Sequence, residues 1–177
     1  MGLFDKLKGI KAPQEGVAPV PADDLKQRLL ALNDGQVPFS VSGGPGGEGG
    51  DVVAQWKIVD AQWYEIFARA GLEKTHRIYV TLDQGRGEAR VLEESWDVEW
   101  RAGVPQISLS AQAFRGRTMT SKSFGTAYAF KGVSPLDYGQ VYDYRFDVAE
   151  MKDPIAAVVT AGGWTYRPVV TKNKLAG

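Results

Sequence analysis

The side chains best suited to chemistry in this chain are carboxylates on one alternating segment. In ARVLEESWDVEWRAG, residues 89–103, the apolar Leu92, Trp96, Val98 and Trp100 alternate with Glu93, Ser95, Asp97, Glu99 and Arg101. A strand sends alternate residues to opposite faces, so Glu93, Asp97 and Glu99 form a row with roughly 7 Å per two-residue step. Paired carboxylates can serve as general acid and base or hold a divalent cation. A row along one strand surrounds no common centre, so the expectation is a solvated face that discourages edge pairing. Glu94 breaks the pattern. By parity it belongs with Trp96 and Trp100 on the apolar face, where an unpaired carboxyl has a raised pKa. Arg77, Arg90 and Arg115 are its candidate partners, and Glu94 with Tyr142 and Tyr144 is the candidate lining of a ligand cavity. The competing expectation is a bulge near Glu93-Glu94, or a place for Glu94 at the rim of the core.

Other catalytic chemistries are thinly provided. His76 is the one histidine, and there is no cysteine. A multi-histidine or thiolate metal site within the chain is thereby excluded. His76 opens an alternating run and reads as a surface residue. No serine stands in a G-x-S-x-G elbow. Arg115, Arg117 and Lys122 read as an exposed basic hairpin.

Gly44, Gly46 and Gly49 spell G-x-G-x-x-G within SVSGGPGGEGGDVVAQW, residues 40–56. A dinucleotide fingerprint needs a helix to begin at the last glycine, so that its amides meet the pyrophosphate. Here Val52, Val53 and Trp56 follow, which prefer a strand. The stretch therefore reads as a mobile hairpin loop between strands at 37–41 and 51–58. No cofactor is expected.

The N-terminal MGLFDKLKGIK carries Leu3, Phe4, Leu7 and Ile10 on one helical face, with Lys6 and Lys8 on the other. Such a pattern suits contact with an anionic membrane or a partner protein; its competitor is a helix docked on its own domain. Residues 12–22, rich in Pro and Ala, read as a flexible tether. The division expected is thus an amphipathic segment and tether at 1–22, one domain at 23–170 and a polar tail at 171–177.

The elements that must position these groups follow from periodicity. Asp23 or Asp24 caps a helix with Leu25, Leu29 and Leu32 on one side. A second helix covers 60–72, with Trp63, Ile66 and Phe67 as its stripe. From residue 76 the period becomes two, with a turn at 85–87 and Gly and Pro between the later runs, and strands continue over 104–114, 119–130 and 139–148. Asp153 and Pro154 open an uncharged helix over 154–161, apolar enough to be buried by the sheet. Residues 165–170 return as a last strand.

The fold class is therefore α+β: a mostly antiparallel, strongly curved sheet or barrel of six to eight strands on an apolar C-terminal helix. A barrel enclosing such a helix, as in tubby-like and scramblase-like domains, would satisfy the pattern, as would a helix laid across an open sheet. No motif of either family is present. Lys plus Arg equals Asp plus Glu, at 21 each, so nucleic acid is not an expected partner. The absence of cysteine, of a signal peptide and of a long apolar run fits a cytoplasmic, at most peripherally membrane-bound, protein. The leading functional expectation is a non-catalytic binding or scaffold module that touches a membrane surface or partner protein through its N-terminal segment. The alternative is a small-molecule-binding or enzymatic barrel with Glu94 and tyrosines in its cavity.

Overall fold

The structure, a computed structural model, describes residues 8–33, 37–58, 73–109 and 148–177. The expectations for residues 1–7, the 60–72 helix, the strands at 119–130 and 139–148, and the side chains of Arg115, Arg117, Lys122, Tyr142 and Tyr144 lie outside the described residues.

Two-residue alternation and short turns produce β-hairpins here. β1 (Phe39–Gly43) pairs with β2 (Val52–Trp56), β2 with β3 (Lys74–Asp83), β3 with β4 (Glu88–Arg101) and β4 with β5 (Val104–Leu109), all antiparallel. β6 (Thr165–Val169) joins the same sheet parallel to β4. Among the described residues the helices are α1 (Ala22–Leu30), α2 (Ala149–Ala161) and α3 (Lys172–Ala176). The fold is α+β, and its mostly antiparallel sheet is not closed into a barrel.

β4 organises the sheet. One of its edges pairs with β3 from Glu88 to Asp97. Along the other edge, Glu88–Leu92 pairs with β6 and Trp96–Arg101 with β5. Residues 93–95 sit at the junction of those two partners.

The register assigns each side chain a face. Val41, Ala54, Ile78 and Glu93 lie in one cross-strand row, on the inner face. That face packs on α1 and α2, whose Leu25, Leu29, Met151, Ile155 and Val159 are buried with it. Burial of each such side chain stabilises by about 1.5–3 kcal/mol. The next row, Ser40, Gln55, Arg77 and Glu94, lies on the outer face. There Tyr79 and Leu92 pack against Leu175 of α3.

The glycine stretch is the turn of the β1–β2 hairpin, with one 3-10 turn at Gly47–Gly49 and a strand, not a helix, after it. Its glycines answer to packing. A Cβ on Gly44 would lie 2.3 Å from the Gly50 carbonyl oxygen, and Gly50 has φ +68° beside the Val80 backbone.

Several boundaries differ from expectation. α1 begins at Ala22 with Pro21 as its cap, and Asp23 and Asp24 fall in the first turn. Gln84 from the β3–β4 turn accepts the Ala22 N–H at 2.5 Å, so a distant side chain performs the capping. α2 begins at Ala149, which places Pro154 inside the helix and removes Asp153 as its cap. Burial of Val148 and Met151 favours the longer helix and offsets the hydrogen bond that Pro154 cannot donate. Residues 11–20 are laid against the domain: Lys11 and Tyr166 exchange backbone hydrogen bonds of 3.0 and 2.9 Å, and Val20 donates to Gly162 at 3.0 Å. Trp164 Nε1 donates to the Val20 carbonyl at 2.8 Å. The segment read as a polar tail forms α3, which buries Leu175.

Candidate functional site

The charged side chains of β4 divide between the two faces. Glu93, expected on a wet face, lies on the inner face instead, because α2 covers that side of the strand. Its Oε2 is 3.0 Å from Lys152 Nζ of α2, and its Oε1 is 3.5 Å from His76 Nδ1. His76 is 1% exposed, so its placement at the surface is corrected. The physical reason is parity: His76 shares a face with Ile78 and Val80, and Glu93 supplies a polar partner there. Burial raises the Glu93 pKa, but the His76 contact and the Lys152 charge outweigh it and hold the carboxyl below its ordinary range. Burial pushes the neighbouring Tyr166 hydroxyl far up, and the charges of Glu93 and Asp153 add to the shift. Glu150, half-buried at the start of α2, is pushed by burial to about 7. A carboxyl that titrates there can exchange protons at neutral pH.

Glu94 lies on the outer face and is 0% exposed, neither on a bulge nor at a rim. The β3–β4 register runs unbroken through it, opposite Arg77. The nearest ammonium comes from a different element: Lys172 Nζ of α3 stands 3.1 Å from Glu94 Oε1 and 5.6 Å from the centre of the Tyr79 ring. Arg77 stacks its guanidinium 4.4 Å from the centre of the Trp96 ring. Burial and the Glu94 carboxylate push the Tyr79 hydroxyl above its ordinary range, against the pull of Arg77.

Of the three expected partners of Glu94, Arg77 is adjacent and Arg115 lies outside the described residues. Arg90 belongs to a separate outer-face network. Its Nη2 is 2.5 Å from Asp83 Oδ2 and its Nε 3.2 Å from Glu88 Oε1, while Arg167 Nε is 2.6 Å from Glu88 Oε2. Sequence reasoning missed Lys172 and Tyr79. Tyr79 was legible, since parity puts it beside Arg77 on the face opposite Ile78. Lys172 was not, because the return of residues 171–177 onto this face is a tertiary event.

Of the proposed N-terminal contact residues, Ile10 is buried against its own domain and Lys8 is exposed. Leu3, Phe4, Lys6 and Leu7 lie outside the described residues. No described helix is long and apolar enough to cross a membrane. Chemically, the inner cluster joins a carboxylate, an imidazole and an ammonium, and the outer one joins a carboxylate, an ammonium and an aromatic face. Comparison with protein-family models, curated proteins and solved structures found no match.

Proposed function

We propose that the chain is a non-catalytic binding module of the cytoplasm that docks on an anionic membrane surface through the segment ahead of Ile10. The observation that carries this reading is the fastening of the chain just after that segment. Ile10 is buried, and Lys11 is tied through its backbone to Tyr166 in both directions. A contact segment fixed at its base transmits docking to the whole domain. Ile10 itself drops out of the contact, which leaves Leu3, Phe4 and Leu7 to insert, with Lys6 and Lys8 at the headgroups. Each lysine near an anionic surface contributes about 1 kcal/mol. The ion pairs of Glu88, Glu93 and Glu94 support the non-catalytic part, since they tie these acids to cations of other elements.

The test is co-sedimentation with vesicles rich in phosphatidylserine, comparing the full chain with a deletion of residues 1–7 that retains Ile10 and Lys11. Pelleting of the full chain alone, abolished by salt, is the expected result. Equal behaviour of the two proteins removes the membrane contact and leaves a partner protein as the remaining target, to be sought by pull-down.

A further inference from the structure

We propose that the outer face of the sheet carries a docking niche for a helical turn that bears a lysine and, three residues later, a leucine, and that residues 171–177 fill this niche in cis.

The segment behaves as an occupant by four criteria. α3 has five residues, too few to hold helical structure alone in water. Its backbone hydrogen bonds, from Leu175 to Thr171 and from Gly177 to Asn173, stay within the segment. Its side-chain grip on the sheet comes from Lys172 and Leu175, whose spacing puts them on one side of the turn, while its backbone lies beside the Gly47–Gly49 turn. The link to β6 is short and outward-facing, with Val170 41% exposed.

The niche is specific in its chemistry. Tyr79 and Leu92 form an apolar seat for Leu175, with Val53 and Val169 at its border. Beside it Glu94 is wholly buried, with the Lys172 ammonium 3.1 Å from its Oε1. If this face had only to be covered, an apolar residue would serve at lower cost than a buried charge. A buried acid next to an apolar seat instead selects for an ammonium at a set distance from an aliphatic side chain. The Tyr79 ring, 5.6 Å from the Lys172 ammonium, adds a cation–π attraction. A partner segment with the same lysine–leucine spacing meets the same requirements and competes with α3 for the site. In cis, α3 acts at a local concentration of about millimolar, which masks the niche until the segment is released.

The experiment uses the full chain carrying Leu175→Asp, whose own segment cannot seat, and a fluorescent peptide copying residues 169–177. Anisotropy should show the peptide binding the variant at least about tenfold more tightly than the unaltered chain. A peptide with Lys172→Glu should lose that binding. Absent binding to a variant with native circular dichroism, or equal binding with and without the peptide lysine, overturns the proposal. Hydrogen exchange on the unaltered chain decides the matter if the variant does not fold. Amides of 173–177 should open locally, at lower free energy than those of β3 and β4. Opening of α3 only together with β3 and β4 would make it an inseparable part of the core and would end the proposal.

Discussion

Glu93 and Glu94 are consecutive residues that fasten two different helices to opposite faces of one strand. Glu93 Oε2 holds Lys152 of α2 at 3.0 Å on the inner face, and Glu94 Oε1 holds Lys172 of α3 at 3.1 Å on the outer face. Both carboxylates stand where β4 exchanges β6 for β5 as its neighbour. The strand thereby acts as a two-sided clamp between α2 and α3.

The outer half of the clamp should be energetically coupled. Lys172→Ala leaves the buried Glu94 without its nearest ammonium and should destabilise by about 1–3 kcal/mol. Adding Glu94→Gln should recover part of that loss, because a neutral amide no longer needs the cation. Urea denaturation of the two single variants and the double variant measures the coupling; strictly additive losses would contradict it. Lys11→Ala, at the exposed Lys11–Asp153 pair, should change stability by less than about 1 kcal/mol.

Stability should fall as pH rises toward neutrality. Burial moves Glu150 from its ordinary 4.5 to about 7 in the folded chain. Between those values the unfolded chain has released a proton that the folded chain keeps, so raising the pH favours unfolding, and the slope ends above about 7. Glu93 acts in the opposite sense. Its folded pKa lies below 4.5, so its contribution is present above that pH and lost as the pH falls through the folded value. Thermal melts across this range should show a decline from pH 4.5 to 7 that flattens in Glu150→Gln. An unchanged slope in that variant would refute the assignment.

At Val41 the outer edge of β1 is closed by a side chain. Asn33 Nδ2 donates to the Val41 carbonyl, and Asn33 Oδ1 accepts the Val41 N–H at 2.7 Å, so the amide imitates a neighbouring strand. Asn33→Ala should cost about 1–2 kcal/mol and expose an edge able to pair with other chains. Chemical denaturation reads the first effect, and static light scattering against protein concentration reads the second.

The β4–β5 hairpin carries a strained residue. Ala102 and Gly103 form its two-residue turn with φ of 49° and 79°. Positive φ at both positions is the type I′ geometry, for which Asn-Gly is the favoured pair. Ala102→Asn should stabilise by about 0.5–1 kcal/mol, because asparagine tolerates the left-handed region better than alanine. A melting temperature at or below that of the unaltered chain would argue against stored strain at this turn.

The chain itself determined its described strands, its hairpins and the non-helical fate of the glycine stretch. These depend on local rules: alternation with period two, turn residues at the reversals, and β-branched or aromatic residues after Gly50. The relative faces were legible as well, since His76, Ile78 and Val80 must share one side and Arg77 and Tyr79 the other. What parity cannot say is which side will be covered, and by what. Glu93 read as solvated because its neighbours Ser95, Asp97 and Glu99 are polar, yet α2, some 60 residues later in the chain, lies over it and brings Lys152. Glu94 read as anomalous because its cation arrives from a segment that looks like a polar tail. The start of α2 ahead of Pro154 and the capping of α1 by Gln84 have the same origin. In each case tertiary burial and a distant partner outweighed a local preference of about 1 to 3 kcal/mol. Local periodicity is a property of neighbours along the chain, whereas the environment of a charge depends on what packs above it, and only the folded structure settles that.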